Sequence, residues 1–320
     1  MSFTNAKYIW RNGQILPWQS ATIHISAHGL HYGTGVFEGI RCYNTDRGPA
    51  IFRLEAHIER LFASARLHHF TIPYTPEYLC QAVVDTVRAN ELTSSYIRPI
   101  VFLGSGSLGL LPTNCPTEVA IMAWEWGLLL GNESAERGVR ATISSWRKFE
   151  SHALPASAKA CGQYINSVLA SREAHARGFD EALLLNSAGN IAEASGENLF
   201  IVKDHTLITN GMSDDVLMGV TRDTIIRLAS ELGYTVVVRA ISKTDLFTAD
   251  EAFVTGTAAE IVALSEVDGR VIGSTANLNR PVLRSLQQAF RRVVTAQDEK
   301  HLDWLKFINS VAATRADHAA

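Results

Sequence analysis

Gly127-Leu128-Leu129-Leu130-Gly131-Asn132-Glu133-Ser134-Ala135-Glu136-Arg137-Gly138 breaks the composition of the chain between two halves that each mix strand and helix patterns. Just upstream, residues 95–103 and 118–126 are apolar, β-branched or aromatic runs that read as strands of one sheet. The Gly-, Ser- and Pro-rich residues 104–116 between them read as a loop over a site. Further back, Thr75-Pro76 supplies an N-cap and first helical residue for a helix to about Asn90. Ile58, Leu61, Phe62 and Ala65 recur at helical spacing across residues 55–67. The first fifty residues read as strands: 7–11 and 14–18 flank Asn12-Gly13, a strong hairpin signal, residues 21–25 alternate, and 36–43 pair with 50–54. Downstream, residues 139–146, 181–185, 198–202, 206–209, 235–240 and 251–255 read as strands, and 164–176, 221–233 and 281–294 as helices. Two mixed halves favour a two-domain α+β fold over a single doubly wound sheet. The first domain spans residues 1–127, the linker 128–138, and the second domain 139–320. The Ala-rich tail after about residue 310 is expected to fray.

Composition excludes several classes. The 320 residues are 47% hydrophobic and 19% charged, with a formal net charge of -3, so a large core is available and no basic nucleic-acid footprint is present. No apolar stretch reaches the length of a membrane span, and the first residues lack a basic region followed by an apolar run. Cys42, Cys80, Cys115 and Cys161 are scattered, which points to reduced thiols in a cytoplasmic protein. His28 and His31 lack a third ligand at useful spacing, so HGLHYG reads as a packed turn and no metal site is expected. Neither a P-loop nor a dinucleotide fingerprint after a strand occurs.

Seven lysines are present, and six of them, Lys148 among them, sit in settings that a solvated side chain explains. Lys159 lies in Pro155-Ala156-Ser157-Ala158-Lys159-Ala160-Cys161-Gly162, small residues that leave room around an amine and offer it no ion pair. Confinement disfavours the ammonium and frees a nucleophile. A solvated loop lysine accounts for this segment equally well. Residues 192–198 place Glu193 and Glu197 among small residues just before an apolar strand, where a carboxylate could hold a pyridinium nitrogen or simply form a polar turn. Gly219, Val220 and Thr221 open a helix whose free N–H groups suit a phosphate. Thr255-Gly256-Thr257-Ala258-Ala259-Glu260 reads as a second helix start, and Arg60 could meet a phosphate or an ordinary surface carboxylate.

In order along the chain, HGLHYGT running into Val36-Phe37-Glu38-Gly39-Ile40-Arg41, His57-Ile58-Glu59-Arg60-Leu61, Tyr96-Ile97-Arg98-Pro99, Ala158-Lys159, residues 193–198, Gly219-Val220-Thr221-Arg222 and Gly256-Thr257-Ala258-Ala259-Glu260 form a specific set. The sequence resembles the branched-chain amino acid aminotransferases, of the fold-type IV pyridoxal-phosphate enzymes, from about Lys7 to Asn309. The resemblance implies pyridoxal 5′-phosphate as cofactor and transamination between an apolar L-amino acid and 2-oxoglutarate. It implies Lys159 as the residue that holds the cofactor and shuttles the proton, Tyr164 as donor to its phenolic oxygen, and Glu193 as partner of the ring nitrogen. Arg60, Val220, Thr221 and Thr257 would hold the phosphate, with Leu217 and Gly219 in the same cofactor-binding stretch. Thr257 and Ala258 would also meet the substrate α-carboxylate. Tyr32, reaching across a homodimer or larger homo-oligomer, and Arg98 would read the distal carboxylate of glutamate. Phe37, Tyr96, Trp126, Leu108 and Leu110 would wall the side-chain pocket.

Leu129 stands where these enzymes commonly carry tyrosine, Met218 where proline is common, and residues 105–111 are unusually apolar. These departures touch the pocket and leave the amino donor open, an aromatic L-amino acid included. Same-fold relatives acting on D-amino acids or amines, aminodeoxychorismate lyase and a catalytically silent binding protein are the alternatives; the retained Lys159 argues against the last.

Overall fold

The computed structural model describes residues 6–125, 137–273 and 279–308. Strands β1 (Tyr8–Arg11) and β2 (Gln14–Pro17) form the expected hairpin: Asn12 and Gly13 take φ of 47° and 91°, a turn whose twist matches the strands. Residues 21–25 form no strand despite their alternation, and HGLHYG is a short helix, α1 (His28–Tyr32), instead of a turn. The run at 36–43 is interrupted at Glu38-Gly39, giving β3 (Gly35–Phe37) and β4 (Ile40–Tyr43), and β4 pairs with β5 (Ala50–Phe52). Helices α2 (Leu54–Leu67) and α3 (Pro76–Ala89) follow, the latter capped by Thr75, whose hydroxyl accepts the Tyr78 N–H at 3.2 Å. Strands β6 (Ser95–Leu103) and β7 (Thr117–Trp124) complete the first half.

The second half runs β8 (Val139–Arg147), α4 (Tyr164–Ala176), β9 (Glu181–Leu185), β10 (Ile191–Ala194), β11 (Asn198–Lys203), β12 (Thr206–Thr209), α5 (Val220–Glu231), β13 (Thr235–Val238), α6 (Lys243–Phe247), β14 (Glu251–Gly256), β15 (Glu260–Val267), β16 (Arg270–Val271), α7 (Pro281–Val294) and β17 (Leu305–Phe307). Two sheets result. The first has the order β17-β5-β4-β6-β7-β1-β2 with β3 also on β6, and the second β10-β9-β8-β15-β14-β11-β12-β13 with β16 on β15. The chain therefore returns to the first sheet through β17, whose Lys306 pairs with Ile51.

Leu54, Ile58, Leu61 and Ala65 of α2 lie four, three and four residues apart and face the first sheet with Ile40, Ile97, Val101 and Ile121. Over the second sheet, α5 and α7 cover Phe200 and Phe253, whose rings stack 5.1 Å apart. The buried Glu251 carboxylate accepts the first N–H groups of α7, Val282 at 3.0 Å and Leu283 at 2.8 Å, which satisfies a helix end inside the core.

Residues 255–260 overturn the expected helix start. They are the end of β14, a turn and the beginning of β15, with Gly256 paired to Glu260 and Glu260 at a φ of 60°. Neither β10 nor β15 is anticipated from the sequence. Most of the linker, with Trp126 and Leu129, and the Ala-rich tail after residue 310 lie outside the described residues.

Candidate active site

β8 and β9 are parallel neighbours, and the connection that leaves the carboxyl end of β8 carries Lys148 and Lys159 before α4 begins. In such crossovers the carboxyl ends of the strands are where ligands bind. The Lys159 backbone is held from the first sheet's side: its N–H donates to Ser64 Oγ of α2 at 3.0 Å, and its carbonyl accepts the Phe37 N–H at 3.0 Å. Its Nζ donates to the Tyr164 hydroxyl at 2.6 Å and lies 5.1 Å from the centroid of the Phe37 ring. Burial pushes the ammonium's pKa down, but Tyr164, then Glu38 and Tyr96, outweigh burial, and the net shift is upward. The expectation of an unpaired amine made neutral by confinement is thus corrected. Without cofactor the lysine is held as an ammonium, with Tyr164 placed to share its proton.

Across a cleft from Lys159 and Tyr164 lies Glu193 of β10, with Ala158, Gln163, Ser195, Glu197, Asn198 and Leu217 also in the lining. Glu193 Oε2 accepts the Leu217 N–H at 3.1 Å and the Asn198 amide at 3.4 Å. Oε1 accepts Lys148 Nζ at 2.5 Å, and the two side chains are 9% and 10% exposed. The sequence reading assigns Lys148 to solvent; the structure buries it against the cleft's central carboxylate. Nothing in Arg147-Lys148-Phe149 marks that role, because the partner is 45 residues away. Beside it, burial first and then the charge of Glu181 hold the Glu197 carboxyl well above its ordinary pKa, so this group keeps its proton where a free carboxyl has lost it.

The other end of the site is a helix terminus. The first N–H groups of α5 have no intrahelical acceptor, and Gly219, which precedes them, has no side chain to cap them. A Cβ on Gly219 would stand 2.1 Å from Asn198 Oδ1, so only glycine lets this turn approach Asn198, whose amide also donates to the Leu217 carbonyl at 2.8 Å. Thr221 is buried in the first turn of α5. Arg60 of α2 shares a cleft with Met218, Gly219 and Val220, and its Nη1 donates to the Met218 carbonyl at 2.9 Å. Thr257 and Ala258 occupy the β14–β15 turn, which packs at Gly256 against Gly196 and Glu197.

Phe37, Tyr96 and Arg98 converge beside Lys159. Tyr96 and Arg98 are two apart on β6, Arg98 Nη2 donates to the Tyr96 hydroxyl at 3.2 Å, and the guanidinium lies 4.7 Å from the Phe37 ring centroid. Arg98 Nε is buried with no protein acceptor. Gly39 leaves room for the Tyr96 hydroxyl, which would meet a Cβ there at 1.9 Å. Within one chain Leu108 and Leu110 are 47% and 86% exposed. Tyr32, 44% exposed, donates to the Leu108 carbonyl at 2.7 Å, and His28 Nε2 lies 3.0 Å from the Gly109 carbonyl oxygen, so α1 tethers this loop. Among the described residues no group of His, Cys, Asp and Glu could hold a metal ion.

A half-buried lysine against a phenol, an opposed buried carboxylate and an uncapped helix terminus beside an arginine fit pyridoxal phosphate, whose aldehyde, ring nitrogen and phosphate need these partners.

The chain matches the class IV amino-transferase family over residues 35–267. It is 42% identical over 310 residues to the branched-chain-amino-acid aminotransferase of Escherichia coli strain K12, covering 97% of this chain and all of that one. A solved structure of the Escherichia coli branched-chain amino acid aminotransferase superposes with a TM-score of 0.92 at 43% identity, over 95% of this chain and all of that one. The enzyme of the same description from Pseudomonas aeruginosa is 44% identical over 296 residues, 92% of this chain and 95% of that one. The structure of the branched-chain amino acid aminotransferase from Thermobaculum terrenum, solved in its PLP-form, gives a TM-score of 0.88 at 36% identity, over 96% and 99% of the two chains.

Proposed function

The chain belongs to the class IV aminotransferase family, and from that premise we infer that it transfers the amino group of a branched-chain L-amino acid to 2-oxoglutarate with pyridoxal 5′-phosphate. The observation that carries the reading is Lys159 Nζ, 2.6 Å from the Tyr164 hydroxyl and facing the cleft that Glu193 closes.

When bound, the cofactor supplies the carbonyl that accepts the amino group and the ring that takes up the electron pair. The protein's own residues do the rest. Lys159 Nζ carries the proton to and from the substrate's α-carbon, and the Tyr164 hydroxyl shares that proton at hydrogen-bond distance. Glu193 would pair with the ring nitrogen, its carboxylate held in orientation by Leu217 N–H, Asn198 and Lys148. Arg60, the N–H groups of Val220 and Thr221, and the Thr221 and Thr257 hydroxyls take the phosphate. Arg98, with one buried N–H still unmatched, reads a distal carboxylate, and Phe37 and Tyr96 offer apolar surface to an aliphatic side chain.

We assign the same reading to assembly, domains and location. Exposed Leu30, Tyr32, Leu108, Leu110 and Leu111 suit burial against a second copy, which favours a homodimer or larger homo-oligomer. The two sheets support domains at 1–127 and 139–320, the second lending β17 to the first sheet. Four free cysteines support a cytoplasmic location, and no helix among the described residues is long and apolar enough to cross a membrane.

The test is visible absorbance of the purified protein with L-leucine, L-glutamate, L-phenylalanine or a D-amino acid in separate cuvettes. Bleaching of a yellow species by L-leucine and L-glutamate is expected. Bleaching by L-phenylalanine and not L-leucine would move the donor, and no yellow species after adding pyridoxal phosphate would overturn the assignment.

A further inference from the structure

Glu38 is wholly buried at the break between β3 and β4, and its carboxylate carries four hydrogen bonds. Oε1 accepts Arg60 Nε at 2.7 Å; Oε2 accepts Arg60 Nη2 at 2.8 Å, His57 Nδ1 at 2.8 Å and the Gly39 N–H at 3.3 Å. The forked pair fixes the guanidinium plane, and the Met218 contact through Nη1 fixes its rotation about the side chain. Five N–H groups belong to an arginine, so three are used and one remains on each terminal nitrogen, in the cleft shared with Gly219 and Val220.

We propose that Glu38 is a positioning residue for the cofactor phosphate: it clamps Arg60 so that the two remaining N–H groups face the uncapped end of α5. The proposal rests on the reading of Arg60 as a phosphate ligand and adds the group that aims it. Charge makes the point sharper. Glu38 cancels the formal charge of Arg60 within one buried pair, so what Arg60 brings to a phosphate is directed hydrogen bonding more than net attraction. His57 supports the clamp as a neutral ring donating from Nδ1, because burial first of all drives its pKa down.

Glu38→Gln keeps the shape and removes the clamp. A glutamine has one acceptor oxygen, and its amide nitrogen would face another donor, either Arg60 or His57. Cofactor-free protein is titrated with pyridoxal phosphate and, separately, with pyridoxal, which lacks the phosphate. E38Q is expected to weaken pyridoxal phosphate relative to pyridoxal by about tenfold, the contribution of one charge-assisted hydrogen bond, because any effect of the lost Glu38 charge on Lys159 acts on both ligands alike. A general loss of structure would weaken both ligands equally, and so overturns the proposal, as does an unchanged affinity ratio. Tighter pyridoxal phosphate binding would also overturn it, since that is what simple removal of a nearby negative charge predicts. R60M and the doubly neutral E38Q/R60M separate the premise. If both bind the two ligands as the parent does, Arg60 is not a phosphate ligand. If both lose pyridoxal phosphate selectively while E38Q does not, Arg60 holds the phosphate without help from Glu38.

Discussion

Replacing Glu197 by glutamine should stabilise the protein, and increasingly so as pH rises. The Glu197 side chain is 6% exposed, Glu181 and Glu193 are buried nearby, and its Oε2 accepts the Gly196 N–H at 3.2 Å. Burial first, then the charge of Glu181, raises its pKa well above the ordinary carboxyl value. The folded chain therefore keeps a proton that the unfolded chain has lost. Whatever stability this group contributes is fully present below the unfolded pKa and is lost as pH climbs towards the folded one. One proton's difference costs about 1.4 kcal/mol for each pH unit across that window. Glutamine has the same shape and nothing to ionise, so the slope disappears. Urea unfolding of parent and E197Q at pH 5, 6, 7 and 8, followed by tryptophan fluorescence, should show a stability difference that widens in favour of E197Q as pH rises, with about that amount per unit as the limiting slope until the folded-state carboxyl ionises. Contributions from other titrating groups cancel in the difference, except where they touch residue 197. A difference that stays constant with pH would mean that Glu197 ionises in the folded state as it does in the unfolded one, and the argument from burial would fail.

Three further expectations test the site. Lys148→Met strands the Glu193 carboxylate, which should cost roughly 3–5 kcal/mol of unfolding free energy, and adding E193Q should restore much of it; no restoration would show that the 2.5 Å pair is not what the lysine contributes. Gly219→Ala drives a methyl to within 2.1 Å of Asn198 Oδ1, and the forced shift, roughly 1–3 kcal/mol of overpacking, should appear as weaker cofactor binding in an absorbance titration. Unaltered binding would show that Asn198 yields freely. Arg98→Met should slow bleaching by L-glutamate by on the order of 100-fold, as loss of a partner from a buried charge pair does, while bleaching by L-leucine changes far less; equal slowing of both would remove Arg98 from carboxylate recognition.

What was legible in the sequence was what local chemistry decides. Asn12-Gly13 specifies its own turn, Thr75-Pro76 its own helix start, and α4 begins and ends where its pattern does, at Tyr164 and Ala176. Residues 255–260 show the limit. Small residues and a glutamate after a glycine suit a helix terminus, yet strand pairing with a partner that starts at Glu260 outweighs that weak preference. Leu108 and Leu110 mark another: the resemblance implies a pocket wall there, and one chain alone leaves them 47% and 86% exposed, so their role depends on a surface that no local pattern encodes.

Lys148 belongs to a more general class of omission. Three charged groups turned towards the cofactor cleft have counterparts supplied by the fold: Arg60 has Glu38, 22 residues back, Glu193 has Lys148, 45 residues back, and Lys159 has Tyr164, five residues on. Only the last separation can be seen as a local motif. Leaving any of these groups buried and unpaired would cost several kcal/mol or change its protonation, so a chain that folds before it meets its cofactor must carry these partners. They also set the terms of binding. An arginine and a carboxylate already neutralised by the protein attract the phosphate and ring nitrogen weakly at long range, and discriminate chiefly by the direction of the N–H groups and lone pairs left over. The affinity of such a site should respond more to the residues that aim these groups, Glu38, Asn198 and Lys148, than to ionic strength.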